Sequence, residues 1–570
     1  MDAAVKHQDG LDSASKQNTA AVPANMTSIK PIRSEIAVAC VAAFFVAALN
    51  VAFWRQLIAA LAPLDAVESL FVVAIAATFF ALLGLFLSLF AIPYVFKPVI
   101  AVLLLVTSAA AYFINEYGIV IDAEMIRNIT HTNTGEAYDL LTGKLILYVV
   151  CLGVLPALVL WVLPIAYRPF WQDLWFKTKA TALVLPLIAL IILPLTGTAM
   201  SFFRENHILV RVVTPLNYLS AIVAYSRASA RAGAIAAKPY GEDARKAPVW
   251  AGRERKTLTV LVIGETARAQ NFSLNGYERE TNPLLRTIPG LINYTQVHSC
   301  GTATAQSVPC MFSGQGRAGY RPGAGREGLL HILQRAGFSV LWLENQGGCA
   351  GVCKGVPTEH VGGRTRKLFE LGESLDENLL TGLGEKVDAM QGDAVIVLHT
   401  MGSHGPAYYK RYPAAFERFQ PACKDAQFSR CQRSEIVNSY DNTIVYTDYV
   451  LAKLVEFLAQ RDRRGQPTAM IYVSDHGESL GEGNVYLHGL PYAFAPDVQK
   501  HVPMLMWLSP KLQSDLRVNA GCLVQRRREP LSHDNFFHSV LGLLDVQTAV
   551  YDRHLDMFAA CRSAPIFVDD

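Results

Sequence analysis

IYVSDHGESLGEGNVYLHG, residues 471–489, continues an apolar strand that starts at Met470, ends at Val473 and runs into Asp475, His476 and Glu478. His488 follows twelve residues after His476. An apolar strand ending in an Asp–His pair is how an α/β sheet delivers metal ligands to the rim where its ligands gather. Working outward, four more short apolar runs read as strands: Leu258 to Ile263, Phe338 to Leu343, Ala394 to Leu398 and Pro503 to Trp507. Helical or irregular segments separate them, which predicts a mostly parallel sheet covered by helices on both faces.

The residues after each strand end converge chemically. The first strand gives Gly264-Glu265-Thr266, the second Glu344-Asn345-Gln346, the third His399-Thr400 and then His404, and the fourth Asp475-His476. Glu265, Asp475 and His476 form a hard, mixed N/O set suited to zinc, with a fourth position left for a reacting oxygen. Calcium would call for more oxygens and no histidine. Each residue alone is better explained as a helix cap or a surface charge; their arrival together at two strand ends makes the metal reading the stronger one. The segment Cys300-Gly301-Thr302-Ala303-Thr304-Ala305-Gln306-Ser307 supplies candidate nucleophiles running into a predicted helix. A threonine hydroxyl at a helix N-terminus faces N–H groups that bind phosphate oxygens. Composition does not choose between Thr302 and Thr304, and plain N-capping by either is the bland alternative.

The rest of the chain is divided. At 570 residues it exceeds one core. A mean hydropathy of +0.24 with 17% charged residues is high, and the apolar excess lies at one end. Residues 1–33 are polar and read as a disordered cytoplasmic tail. Residues 34–200 hold five candidate transmembrane helices: Ile36 to Trp54, Ala66 to Phe90, Val99 to Ile114, Leu145 to Ala166 and Ala180 to Met200. Residues 201–256 read as an interfacial or connector helix, Pro215 to Gly233, and a hinge; residues 257–570 form the α/β domain. A net charge of +3, without any nucleic-acid motif, argues against a nucleic-acid partner.

Orientation follows from short-loop Lys and Arg. Lys6, Lys16, Lys30, Arg33, Lys97, Arg168, Lys177 and Lys179 fall on one side, and Arg55, Arg127 and Lys144 on the other. The richer side is cytoplasmic, so the catalytic part lies in a periplasm-like space. Residues 201–256, with ten Lys or Arg against four acidic residues, argue the other way. Large domains translocate despite flanking charge, and the cysteines favour the outside. Of ten cysteines, Cys40 and Cys151 lie in the spans and read as packing residues. Cys300 with Cys310, Cys349 with Cys353, and Cys423 with Cys431 are close pairs that read as disulfides of an oxidising compartment. Cys522 and Cys561 are a weaker candidate for a fourth pair, since nothing local joins them. In the outer loop 115–144, Asn128, Thr132 and Glu136 are four residues apart, which puts all three on one face of a helix. Solvent exposure is the usual fate of such a stripe; holding a headgroup amine, with Glu136 as counter-charge, is the sharper reading.

Four blocks, GETARAQNFSLNGYERETNP (264–283), CGTATAQSVPCMFS (300–313), HTMGSHGP (399–406) and SDHGESLGEGNVYLHGLPYAFAP (474–496), resemble the signatures of the lipid A phosphoethanolamine transferases, which include the mobile colistin-resistance enzymes. The likeness extends to the loop MIRNITHTNTGEAYDLL and so covers nearly the whole chain. It implies an alkaline phosphatase/sulfatase-like catalytic fold. It implies Thr304 as nucleophile and Glu265, Thr304, Asp475 and His476 as ligands of one catalytic Zn2+, with a second ion admitted during turnover. His404 and His488 would act on substrate phosphates. Asn128, Thr132, Glu136, Thr302, Gln346 and Gly347 would contact substrate. The donor would be phosphatidylethanolamine and the acceptor lipid A, at an inner membrane, giving resistance to cationic peptides such as polymyxin. The same three disulfides are implied. One departure stands out: Ala350 replaces a lysine of the cysteine-rich loop, and Lys354 comes four residues later. Competing expectations are transfer to a core sugar or periplasmic glucan, a phosphatase or sulfatase with a membrane anchor, and a non-enzymatic scaffold.

Overall fold

The computed structural model describes residues 30–131, 137–138, 140–192, 202, 208–233, 238–251, 253, 255–322, 326–346, 348–361 and 374–562. Thr132, Glu136, Gly347, nearly all of the polar tail and the end of the fifth expected span lie outside them.

The first expected span is not one straight helix. Helix α1 (Ser34–Ala48) stops before Asn50, and α2 (Val51–Leu61) leaves at a bend of 56°. Asn50 is the cause. Its amide donates to the carbonyls of Phe45 at 2.9 Å and Thr214 at 3.0 Å, and its Oδ1 accepts from the Thr214 N–H at 2.8 Å. A buried amide that can satisfy loop backbone in this way competes with the helical ladder.

Helix α3 (Ala66–Ser88) starts at a capping box in which Asp65 accepts from Val67 N and Glu68 N while Glu68 accepts from Asp65 N. Helix α4 (Phe96–Tyr117) ends at Gly118 in the left-handed region. The short α5 (Ala123–His131) carries Asn128. Helix α6 (Gly143–Val162) is capped by Thr142 and contains a π-helical stretch, Val149–Val154, just before Pro156, which lacks the N–H to continue a regular ladder. Helix α7 (Phe170–Ile192) starts ten residues earlier than expected, and its first turns carry Asp173, Lys177 and Lys179. Among the described residues, three helices (α3, α4 and α6) are long and apolar enough to cross a membrane, or four if the bent α1–α2 pair is one span. The fifth expected span, Ala180 to Met200, begins inside α7 and ends outside the described residues. Cys40 and Cys151 are exposed on their helices rather than packed in a core. Helix α8 (Leu216–Gly233) fills most of the expected connector.

The α/β domain is built on seven strands: β1 (Leu258–Gly264), β2 (Leu291–Tyr294), β3 (Ser339–Glu344), β4 (Thr358–His360), β5 (Ala394–His399), β6 (Thr468–Ser474) and β7 (Met504–Leu508). Their order is β2-β7-β6-β1-β5-β3-β4; β7 is antiparallel to both its neighbours and every other pair is parallel. The edge strands β2 and β4 were not expected. Every residue of β1 and β6 is buried. Leu258, Val260 and Val262 enter one core and Leu261 and Ile263 the other, so both faces are covered. This is what parallel strands with near-continuous apolar sequence require. Burial of the apolar faces from two sides fixes the register, and with it the position of every residue that follows a strand end.

Candidate active site

Register places the site. Ser474 of β6 pairs with Gly264 of β1, and Asp475 N donates to the Gly264 carbonyl at 2.9 Å, so Glu265 and Asp475 leave the sheet side by side. Position 264 must be glycine, because a Cβ there would lie 2.6 Å from the Tyr472 hydroxyl. Glu265, Asp475 and His476 are fully buried, and their ligand atoms lie within 4.8 Å of one another. His476 Nε2 is 3.3 Å from both Glu265 Oε1 and Asp475 Oδ2. Its Nδ1 lies 2.9 Å from the Gly477 carbonyl, which holds a proton there and turns Nε2 toward the carboxylates.

Asp475 Oδ1 accepts from Thr266 N and His476 N, whereas its buried Oδ2 has no hydrogen-bond partner among the described residues. Burial opposes ionisation of Glu265, but the hydrogen bond and charge of His476 outweigh it and hold the carboxyl well below the usual range. Burial, with the Glu265 charge added, pushes Asp475 up. Two buried carboxylates, one of them with an orphaned oxygen, and one imidazole form a donor set that fits a divalent cation of the zinc type.

The two candidate hydroxyls separate. Thr302 Oγ1 donates to the Leu490 carbonyl at 2.6 Å, so that side chain fastens the 488–490 segment and does not line the cavity. Thr304 is the first residue of α9 (Thr304–Met311), and its Oγ1 lies 2.9 Å from Glu265 Oε2 and 3.3 Å from His476 Nε2. Gln346 also donates to Glu265 Oε2. His404 has a buried Nδ1 without a partner among the described residues. The His488 ring is 5.3 Å from that of His404 and 4.3 Å from that of His476.

Sequence reasoning missed what holds His488. Glu478 Oε2 lies 2.9 Å from His488 Nδ1, and Glu478 Oε1 accepts from the Tyr408 hydroxyl at 2.8 Å. Glu478 lay within the deciding stretch, but only the closure of the 478–488 segment gives it this partner.

Thr304, Gln346, His404 and His488 share one cavity of about 410 Å³ with Phe113, Tyr117, Ile119, Ile121, Met125 and Ile129 from the membrane half. Asn128 lines it as well. Ala350 lines it, at a φ of +48°, while Lys354 is exposed and outside it; the described lining residues include no Lys, Arg, Asp or Glu. Disulfides join Cys300–Cys310, Cys349–Cys353 and Cys423–Cys431, and a fourth joins Cys522–Cys561.

Comparison with known proteins agrees with this layout. Residues 79–230 match the family model described as phosphoethanolamine transferase EptA/EptB, and residues 257–546 match the sulfatase model. The chain is 41% identical over 541 residues to phosphoethanolamine transferase EptA of Escherichia coli strain K12, covering 94% of this chain and 98% of that one. It is 35% identical over 530 residues to phosphatidylethanolamine transferase Mcr-1 of Escherichia coli, covering 90% and 95%. The solved integral membrane lipooligosaccharide phosphoethanolamine transferase A of Neisseria meningitidis superposes with a TM-score of 0.89 at 36% identity, over 94% of this chain and 100% of that one. A membrane-helical half, a sulfatase-type catalytic half and full-length likeness to these enzymes together place this chain in the phosphoethanolamine transferase family.

Proposed function

We propose that the chain transfers phosphoethanolamine from phosphatidylethanolamine to a phosphate of lipid A. The observation that carries this reading is the Thr304 hydroxyl, which stands at a helix N-terminus, 2.9 Å from the Glu265 carboxylate, in a cavity walled by apolar side chains of the membrane half. Such a cavity suits a donor with a phosphate head and acyl tails. Glu265, Thr304, Asp475 and His476 would hold zinc, which when bound supplies Lewis acidity that favours proton loss from oxygen and offsets charge on the phosphoryl group.

The chain's own residues do the rest. Thr304 Oγ1 gives up its proton to solvent and attacks the phosphorus; the bond from phosphorus to the diacylglycerol oxygen breaks, and that oxygen is protonated. His404 and His488 donate hydrogen bonds to the phosphate and supply the proton, with Glu478 fixing the His488 ring. N–H groups in the first turn of α9 face the transferring oxygens. A lipid A phosphate oxygen then attacks the phosphothreonine, and Thr304 Oγ1 leaves. Asn128, Thr132, Glu136, Gln346 and Gly347 belong to the headgroup contacts in this scheme. Because Thr302 is occupied by the Leu490 carbonyl, its part is to hold the 488–490 segment.

The proposed topology has five crossings within residues 34–200, the N-terminus in the cytoplasm and residues 257–570 in the periplasm of the inner membrane. Four disulfides in the catalytic half support an oxidising location. Mass spectrometry of lipid A from cells making this protein tests the reading. A gain of one phosphoethanolamine per modified phosphate, lost in Thr304→Ala, is expected; unmodified lipid A with phosphoethanolamine on core sugar or glucan instead refutes the acceptor.

A further inference from the structure

Asp376 takes no part in the chemistry above and does not line the cavity, yet it is only 6% exposed and both its oxygens are occupied. Oδ1 accepts from Met401 N at 2.8 Å and from Asn345 Nδ2 at 2.9 Å, and Oδ2 accepts from Gly402 N at 2.8 Å. We infer that Asp376 is a positioning residue for the transfer, locking the turn after β5 to the loop after β3 and so fixing His404 and Gln346 against Glu265. The inference rests on the functional reading above.

Each link is short. Gly402, at a φ of +51°, is pressed so closely on Glu265 that a Cβ would lie 2.5 Å from the Glu265 carbonyl oxygen. Ser403 N donates to that same carbonyl at 3.0 Å, and His404 N to Met401 O at 3.3 Å. Arg411 Nε holds the other side of the turn, donating to the His404 carbonyl at 2.9 Å. On the second arm, Asn345 N donates to the His399 carbonyl at 3.0 Å, and the next residue, Gln346, donates to Glu265 Oε2. The segments after β3 and β5 therefore meet on the Asp376 carboxylate, and the β5 turn is tied in the same stretch to the Glu265 carbonyl at the end of β1. Three N–H donors converge there, so only an acceptor at both oxygens satisfies them. An asparagine would turn an NH2 group onto a backbone N–H and release one arm.

The test is steady-state transfer by the full chain in detergent, with phosphatidylethanolamine as donor, for wild type, Asp376→Asn and Asn345→Ala, with thermal midpoints recorded alongside. A displacement of about 1 Å costs on the order of 10²-fold in rate. Asp376→Asn is therefore expected to lower kcat by about 100-fold with donor KM within about threefold, since the apolar wall that holds the donor is untouched. Asn345→Ala, which frees only the Gln346 arm, is expected to lower kcat about tenfold. Folded Asp376→Asn with kcat within about threefold of wild type overturns the inference, as does a loss carried by KM rather than kcat. If Asp376→Asn does not fold, Asn345→Ala decides by the same criteria. Failure of the wild type itself to transfer would instead overturn the functional reading, with Thr304→Ala as the blank.

Discussion

His533 shows how much of the site depends on a residue that never meets substrate. It is 1% exposed, its Nδ1 accepts from Cys300 N at 3.1 Å, and its Nε2 lies 3.0 Å from the Ser474 carbonyl. The neutral ring thus joins the segment before Thr304 to the strand before Asp475. Burial pushes its pKa from 6.5 down to about 3. Between those values the unfolded chain binds a proton that the folded chain refuses, so stability is full above 6.5 and is lost as pH falls toward 3. The slope is at most about 1.4 kcal/mol per pH unit. Denaturant unfolding of wild type and His533→Gln between pH 7 and pH 5 checks this. The wild type should lose stability more steeply over that window, and equal slopes would refute it. The same scale marks where sequence reading stopped. Glu265, Asp475 and His476 were legible because each follows an apolar run directly. Thr302 and Thr304 were not separable, because what distinguishes their hydroxyls is the Leu490 carbonyl, a partner of Thr302 that lies 188 residues along the chain. Asp376 had no sequence signal, since its three donors come from Asn345, Met401 and Gly402.

At the scale of elements, the Cys423–Cys431 loop acts as a clasp between the two halves. Tyr117, the last residue of α4, donates to the Ala426 carbonyl at 3.2 Å, and Lys144 Nζ reaches Ser429 Oγ at the same distance. Phe428 packs edge-on to Tyr117 at 5.9 Å and stacks on Tyr408 at 5.6 Å, and Tyr408 donates to Glu478. The membrane half is thus linked, through Phe428 and Tyr408, to Glu478, the residue that orients His488. Phe428 is 3% exposed, and truncating a buried phenylalanine costs about 3–5 kcal/mol. Hydrogen exchange of Phe428→Ala should show lost protection in residues 423–431 and at the end of α4, with β6 unchanged; unaltered exchange would contradict the clasp. The elements themselves were legible to different degrees. The five strands predicted from apolar runs match β1, β3, β5, β6 and β7 within a residue or two. The edge strand β2 alternates in burial, and β4, Thr-Glu-His, is exposed throughout, so neither has an apolar run to betray it. The break at Asn50 was hidden because its partner, Thr214, is 164 residues away.

For the whole molecule, neither half makes the site alone: the catalytic half supplies the polar end of the cavity and the membrane half its apolar wall. A soluble hydrolase has no use for that wall, and a scaffold none for the buried carboxylates; a transferase working on lipid needs both. The central claim is that Thr304 carries the phosphoethanolamine between donor and acceptor. It is tested most directly by incubating the full chain with phosphatidylethanolamine labelled in the headgroup, without acceptor, then quenching and sequencing the peptide that spans residue 304 by mass spectrometry. The account predicts label on Thr304 together with released diacylglycerol, and neither in Thr304→Ala. Diacylglycerol release by Thr304→Ala at the wild-type rate, or label on another residue, would contradict it.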